Sequence, residues 1–246
     1  MIIFLIGSQG KLGSILYKSM VHLSKYIYTF DSLNCMTTEV FRTHYCLDVS
    51  NPDFFQLLLM LFKKHANEKL VIIYTPALDY PVSKNTPFSS SRFSVDLETL
   101  SLGFQVGLFP IYELIRVAEA HDLTSNLMII GFDSIYANSL PTRSYYTEGI
   151  KPLAYSLSKA PMELLFKAYS ADFSRPDNTC RSYLIRLSTV DTPFLPEEFK
   201  SKFLEFSHCT SLVDLQEIVN LVKWLIIESP AGLSGTVIKL TCNYFV

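Results

Sequence analysis

The chain has 246 residues, enough for one large α/β domain or two small ones, and one domain is the simpler expectation. Hydrophobic residues make up 49% of the sequence and charged residues 18%, a composition typical of packed globular proteins that excludes a disordered or fibrous chain. The 21 basic and 23 acidic residues are mixed along the chain, so no basic field is available to hold a nucleic-acid backbone.

The cysteines and histidines form no recognisable metal-binding pattern. The five cysteines lie far apart without a C-x-x-C pair, and the five histidines lack H-x-x-x-H spacing, so we predict no metal site and reduced, mostly buried thiols. The apolar start, residues 1–6, is short and runs straight into Gly7, which argues against a signal peptide and a membrane span. We therefore expect a cytoplasmic protein without membrane contact.

Short apolar runs alternate with longer segments of helical period, a pattern typical of βαβ units around a parallel sheet. The predicted strands are residues 2–6, 27–30, 44–47, 70–74, 127–130, 182–187 and 237–240. The predicted helices are residues 11–23, 52–65, 97–121, 154–173 and 212–227. The order predicts a doubly wound parallel sheet with helices on both faces, in one α/β domain spanning 1–246.

A glycine-rich turn follows the first predicted strand. Gly7, Gly10 and Gly13 form a G-x-x-G-x-x-G motif between that strand and the first helix. Glycine permits positive φ and close backbone approach, and a helix N-terminus offers N–H groups and a positive dipole end to a pyrophosphate. The motif predicts a dinucleotide site; the alternative is a tight βα turn that binds nothing.

Aspartates end the second and third predicted strands. Asp31 lies near the spacing of about 20 residues at which a carboxylate accepts hydrogen bonds from the adenosine ribose. Its charge also repels a 2′-phosphate, which favours NAD over NADP, and Lys11 either softens that preference or is a solvated surface charge. Asp48 either caps the adenine pocket or forms a turn.

Tyr155 and Lys159 are four residues apart, and hence on one face of a predicted helix. A proton donor and a cation that favours its ionised form would be adjacent there. Tyrosine and lysine at this spacing are also common on protein surfaces. The position of the pair, after the strand that ends near Ser134, favours the functional interpretation.

Together these residues resemble the short-chain dehydrogenase/reductase family across nearly the whole chain. The residues that carry the resemblance, in the family's order, are Gly7, Gly10, Gly13, Asp31, Asp48, Ser134, Tyr155 and Lys159. The resemblance implies a Rossmann-type fold, an NAD cofactor and hydride transfer between nicotinamide and a carbonyl or hydroxyl carbon of a small-molecule substrate. It further implies a homodimer or homotetramer formed through the long helices.

The resemblance also assigns roles. Tyr155 is implied as the general acid/base, Lys159 as the group that binds the nicotinamide ribose and favours the phenolate, and Ser134 as a hydrogen-bond partner of the substrate oxygen. Thr192 matches a threonine near the nicotinamide carboxamide, and the segment 75–77 stands where the family usually has Asn-Ala-Gly behind the adenine ribose. The implied cofactor-binding residues are Gly7, Gln9, Gly10, Lys11, Leu12, Gly13, Asp31, Asp48, Thr75, Pro76, Ala77, Tyr155, Lys159 and Thr192.

The segment 134–155 resembles more narrowly a sub-group that serves flagellin modification and surface-sugar biosynthesis. That resemblance implies a sugar, sugar phosphate or nucleotide sugar as the substrate. Tyr145, Glu148 and Lys151 then either contact the substrate or belong to a loop that packs over the site.

Two departures from the family pattern bear on catalysis. Gly107 stands where the family usually carries an asparagine of the proton relay, and Pro161 lies in the helix that carries Tyr155. A degenerate member that binds NAD as a structural or regulatory ligand is therefore a second hypothesis. An epimerase or dehydratase of nucleotide sugars shares the motifs but generally needs a larger segment after Pro193 than this sequence has.

Overall fold

Seven parallel strands form one sheet in the part of the chain that the computed structural model describes, residues 1–32, 43–77, 93, 95–140, 152–193, 195–207 and 210–241. The strand order is β3-β2-β1-β4-β5-β6-β7. The strands are β1 Ile2–Ile6, β2 Tyr26–Asp31, β3 Thr43–Cys46, β4 Leu70–Tyr74, β5 Leu127–Ser134, β6 Arg181–Leu187 and β7 Thr236–Leu240. The helices are α1 Lys11–Met20, α2 Pro52–Lys64, α3 Leu97–Gly107, α4 Phe109–Ala120, α5 Leu153–Lys159, α6 Pro161–Phe173, α7 Glu197–Ser207 and α8 Leu215–Glu228.

The central strands are apolar on both faces because both faces are covered by helices. Every residue of β1 and β4 is buried. One face of the sheet packs against α2, α4 and α6, and the other against α1 and α8, so that two separate hydrophobic clusters flank the sheet. This arrangement confirms the predicted doubly wound fold.

The strand order changes direction at β1: the chain adds β2 and β3 on one side of β1, and β4 to β7 on the other. One neighbour of β1 is β2 and the other is β4, so the connections leaving β1 and β4 diverge above their carboxyl ends. A crevice at such a switch point is where ligands bind in open α/β sheets. The glycine-rich turn after β1 and the segment after β4 lie at this position.

The longest predicted helix is two helices. Helix α3 ends at Gly107 and α4 begins at Phe109, with a bend of 41° between them. Pro110 lies in the first turn of α4, where its missing N–H is one that a helix leaves unpaired in any case. The prediction of one continuous helix over 97–121 was therefore wrong.

The helix predicted over 154–173 is also divided, at Ala160. Pro161 occupies the first turn of α6, as Pro110 does in α4. The short helix α5 thus carries Tyr155 and Lys159 on a separate segment from α6, and the prediction of one continuous helix over 154–173 was wrong. Helix α7 was not predicted, although Pro196 followed by Glu197 and Glu198 is a typical helix start.

No single helix among the described residues is both long and apolar enough to span a membrane. The bent pair of α3 and α4 meets that requirement of length and composition only when the two are taken together.

Candidate functional site

The glycine-rich turn is built around two positions where a side chain has no room. Gly7 has φ of +80°, and a Cβ there would lie 2.5 Å from Thr75 Oγ1. A Cβ on Gly13 would lie 2.1 Å from the Gly7 carbonyl oxygen, so α1 can approach the turn closely only because residue 13 is glycine. Gly10 is less crowded, with the nearest atom 3.3 Å from its Cβ position.

The segment after β4 supports this turn. The Thr75 hydroxyl donates to the carbonyl oxygens of Ile6 at 2.8 Å and Gly7 at 3.0 Å, and these two bonds are alternatives for its one proton. The ring of Pro76 also lies close to Gly7, whereas Ala77 is exposed. Thr75 and Pro76 thus hold the turn at the switch point from one side.

The N-terminus of α1 fits a dinucleotide pyrophosphate. Gly10 is the N-cap residue and offers no side chain to the first amides of the helix, and the first turn contains no acidic residue. A helix start without a side-chain cap, lined by glycine and with its positive dipole end toward the crevice, is suited to an anion. Lys11 and Leu12 begin this helix, with Lys11 exposed.

Asp31 lies against the same turn. Its Oδ2 accepts a hydrogen bond from the backbone N–H of Gln9 at 2.9 Å, and the Gly7 N–H donates to the Phe30 carbonyl at 2.8 Å. The carboxylate that was predicted from spacing alone is therefore brought to the glycine-rich turn.

Asp48 forms a turn. Its Oδ1 accepts from the backbone N–H of Ser50 at 2.8 Å and from the Ser50 hydroxyl at 2.6 Å. This geometry matches the turn interpretation of Asp48. Burial raises the pKa of Tyr74 well above its ordinary value, and the negative charge of Asp48 acts in the same direction.

The second half of the site lies at the end of β5. Ser134 is the last residue of β5, is nearly buried, and its Oγ accepts from the Tyr136 N–H at 3.2 Å. Helix α5 packs against β5, against the 3-10 turn Ile135–Ala137 and against α3. The rings of Tyr136 and Tyr155 meet edge to face with centroids 6.4 Å apart, and Lys159 is buried.

Gly107 faces α5. A Cβ on Gly107 would lie 3.5 Å from the Ser158 carbonyl oxygen, an ordinary van der Waals distance. The residue that stands where the family usually has asparagine thus lies where α3 contacts α5, beside Ser158.

A buried ion pair behind Ser134 was not predicted from the sequence. Asp133 and Arg186 are register partners on β5 and β6, and Asp133 Oδ2 accepts from Arg186 Nη2 at 2.6 Å and Nε at 3.0 Å. Arg186 Nη2 also donates to Glu163 on α6 at 3.0 Å. The only signal in the sequence is a pair of opposite charges inside two apolar strands.

This ion pair is connected to Ser134 through the backbone. Asp133 Oδ1 accepts from the Ser134 N–H at 2.6 Å. Burial raises the pKa of the Asp133 carboxyl group, although Arg186, the Ser134 N–H and the charge of Lys159 act in the opposite direction. Because its side chain is fully buried, Asp133 depends on Arg186 for compensation of its charge.

The other predicted residues are placed as follows. Thr192 lies after β6, where its carbonyl accepts from the Leu195 N–H at 3.0 Å. Tyr145, Glu148 and Lys151 lie outside the described residues. Of the cysteines within the described ranges, Cys180 is buried as predicted and Cys46 is exposed. In those ranges, no three His, Cys, Asp or Glu side chains come together as metal ligands.

No protein-family model matches the sequence, and no curated protein matches it. Solved structures, in contrast, match over nearly the whole chain. A short chain dehydrogenase from Leptospira borgpetersenii with bound NAD+ is 16% identical, with a TM-score of 0.78 over 100% of this chain and 92% of that one. The chain has the fold of a short-chain dehydrogenase.

Two other structures match this short-chain dehydrogenase fold closely. Aldohexose dehydrogenase from Thermoplasma acidophilum, in ligand-free form, is 18% identical with a TM-score of 0.72, over 99% of this chain and 93% of that one. A putative D-mannonate oxidoreductase from Haemophilus influenza with bound NAD is 17% identical with a TM-score of 0.77, over 99% of this chain and 94% of that one. At these identities the likeness concerns the short-chain dehydrogenase fold alone.

Proposed function

We propose that the protein is an NAD-dependent oxidoreductase that acts at a carbonyl or hydroxyl carbon. The observation that carries the proposal is that α5, with Tyr155 and the buried Lys159, packs against the end of β5 that carries Ser134. The glycine-rich turn lies at the same carboxyl edge of the sheet, after β1.

The chain's own residues account for dinucleotide binding. The amides at the start of α1 receive the pyrophosphate, and the absence of side chains at Gly7 and Gly13 lets the phosphates approach the backbone. Asp31 would accept from the adenosine ribose and disfavour a 2′-phosphate, and Thr192 would bind the nicotinamide carboxamide, as the resemblance implies. When bound, the nicotinamide supplies or accepts the hydride.

The residues at the end of β5 and on α5 carry out the proton transfer. Because the Ser134 Oγ accepts from the Tyr136 N–H, its own proton is left to donate to a substrate oxygen. The Tyr155 phenol gives or takes the proton at that oxygen, and the Lys159 ammonium favours the phenolate.

We propose a sugar or sugar derivative as the substrate. Two structural neighbours carry sugar-related names, aldohexose dehydrogenase and D-mannonate oxidoreductase. The similarity of the segment 134–155 to surface-sugar enzymes also favours a polyhydroxylated substrate.

The test begins with calorimetric titration of NAD and NADP, followed by a turnover screen of sugars, sugar acids and nucleotide sugars monitored through NADH. We expect NAD to bind more tightly than NADP, and Tyr155→Phe to keep NAD binding while losing at least about a hundredfold in turnover. Tyr26→Phe, at the exposed start of β2, is the matched control. If neither NAD nor NADP binds, the proposal is wrong.

A second candidate is a non-catalytic NAD-binding protein. The observation in its favour is Gly107, which presents no amide to α5 where the family usually has asparagine. Tight NAD binding without turnover on any substrate of the screen would favour this candidate.

We also propose that the protein forms a homodimer or homotetramer through α3 and α4. The large apolar side chains exposed on these helices are Leu97, Leu102, Phe109 and Tyr112. We expect these side chains to be covered in the oligomer. Light scattering of the wild type and of Tyr112→Arg tests it, since the charge is expected to produce monomers.

A further inference from the structure

Arg186 contacts three segments that surround Ser134. Its guanidinium group donates to Asp133 on β5, to Glu163 on α6 and to Asn138 in the turn that follows β5. The exposed fraction of the Arg186 side chain is 4%, so protein partners and not water fix the direction of its N–H groups. Because a guanidinium presents five N–H donors in one plane, a single arginine can serve all three acceptors at once.

The amide of Asn138 is oriented by its two neighbours. Its oxygen accepts from Arg186 Nη1 at 3.0 Å, and its nitrogen donates to the Ile135 carbonyl oxygen at 3.1 Å. The Ile135 carbonyl oxygen also accepts from the Ser139 hydroxyl at 2.7 Å. Through the exposed side chain of Asn138, Arg186 is therefore connected to the backbone of the 3-10 turn Ile135–Ala137.

The same guanidinium holds the residue before Ser134. Asp133 Oδ2 accepts from Nε and Nη2 of Arg186, and Asp133 Oδ1 accepts from the Ser134 N–H at 2.6 Å. The segment 134–137 is thus held at both ends, through the residue before it and the residue after it. Since the Ser134 Oγ accepts from a backbone N–H within this segment, the two contacts of Arg186 also fix the position of the serine hydroxyl.

The third contact of Arg186 joins this segment to the helices α5 and α6. Glu163 lies in the first turn of α6, directly after the break that separates α6 from α5. Its Oε2 accepts from Arg186 Nη2 at 3.0 Å. Because α5 carries Tyr155 and Lys159, one guanidinium links the strand end that carries Ser134 to the helix that follows directly after these two residues.

We propose that Arg186 is a positioning residue for proton transfer. It acts through Asp133 and Asn138, which hold the Ser134 hydroxyl in place relative to Tyr155. This inference rests on the proposed oxidoreductase function and deepens it, because it names the group that aligns the serine with the tyrosine. A displacement of a reacting group by about 1 Å can cost about a hundredfold in rate, so even a modest shift of the turn is expected to lower kcat.

The test uses Asn138, because a substitution of Arg186 also leaves the buried charge of Asp133 without compensation. Asn138→Ala removes the contact between Arg186 and the turn, and water can replace the amide at this exposed position. With a substrate from the turnover screen, we expect kcat to fall about tenfold, while KM for NAD and the urea midpoint stay close to those of the wild type. Asn138→Asp keeps an oxygen that accepts from Arg186 Nη1 and is expected to recover most of the turnover.

Ser139→Ala is the matched control. It also removes a hydrogen bond to the Ile135 carbonyl oxygen but leaves the contact between Arg186 and Asn138 intact, so its kcat is expected to stay near that of the wild type. Equal kcat in the wild type and Asn138→Ala, or an equal loss in Asn138→Ala and Ser139→Ala, overturns the inference and leaves the proposed function intact.

Two other outcomes have the same consequence for the inference. They are a loss of NAD binding in Asn138→Ala, which would show a general structural role, and failure of Asn138→Asp to recover turnover. If the wild type itself turns over no substrate of the screen, the inference and the proposed function are both wrong.

Discussion

The two halves of the site are built in different ways. The dinucleotide half, at the ends of β1 and β4, is shaped mainly by backbone, with glycines where a side chain would collide and amides at the start of α1. The half around Ser134 instead depends on buried side-chain charges, Asp133 and Arg186, that come from different strands. A site made of backbone leaves a local signature in the sequence, whereas a site held by a tertiary ion pair does not.

Breaking the buried ion pair is expected to have the largest effect. Arg186→Met leaves Asp133 buried without compensation, which typically costs about 3–5 kcal/mol of unfolding free energy. Urea unfolding followed by circular dichroism measures this cost. At urea concentrations where the variant remains folded, NAD affinity is expected to stay close to that of the wild type, because the pair lies outside the dinucleotide half.

Two further variants sharpen this measurement. Asp133→Asn combined with Arg186→Met removes both charges and is expected to recover a large part of the loss. Arg116→Met removes an exposed arginine paired with Glu113 and is expected to change stability little. A double variant no more stable than Arg186→Met would show that packing of the long side chain, and not its charge, supports β5 and β6.

Adding one methyl group to the turn is expected to have the next largest effect. The Cβ of Gly13→Ala would meet backbone atoms of Gly7 and Ser8 within 2.9 Å, and backbone cannot yield as a flexible side chain does. We expect a loss of about 2–3 kcal/mol in stability and of at least about a hundredfold in NAD affinity. Gly232→Ala, where no atom lies within 4 Å of the Cβ position, is the control and is expected to keep both stability and NAD binding. Equal losses in both variants would contradict the assignment of the close approach to Gly13.

Much of the fold was predictable because it depends on local patterns. The fully apolar β1 and β4 and the glycine triplet identify the central strands and the turn without knowledge of any distant contact. The break between α3 and α4 was missed because Pro110 can either end a helix or begin one, and only packing decides between them.

The ion pair beside Ser134 was missed for a physical reason. Asp133 meets Arg186 because β5 and β6 pair in one particular register. A shift by one residue would place the two side chains on opposite faces of the sheet. The sequence contains the residue types but not the register, so the contacts became visible only in the structure.

A smaller effect, on turnover, is expected at Gly107, which stands where the family usually carries an asparagine. Gly107→Asn places an amide next to the Ser158 carbonyl, and the Cβ position has ordinary van der Waals room. If the missing amide limits proton transfer, turnover rises about tenfold, which is about 1.4 kcal/mol in the activation free energy, while NAD affinity is unchanged. Gly107→Ala provides the same Cβ without the amide and is expected to give no gain. Equal turnover in the wild type and both variants would show that proton transfer does not need an amide at this position.

The smallest expected effect concerns pH and lies outside both halves. Burial, followed by the charge of Lys64, lowers the pKa of His65, whose Nε2 lies 2.9 Å from the Tyr28 hydroxyl. Since the folded state then binds the proton less readily than the unfolded state, the contribution of His65 to stability is complete above the ordinary histidine pKa of about 6.5. It is lost as the pH falls through the lowered pKa.

Urea unfolding of the wild type and of His65→Gln at pH values on both sides of that range measures this contribution. The variant is expected to lose less stability toward acid than the wild type, and the NAD affinities of the two proteins are expected to change with pH in parallel. A variant at His65 with the same loss of stability toward acid as the wild type would show that the contact between His65 and Tyr28 does not carry this pH dependence.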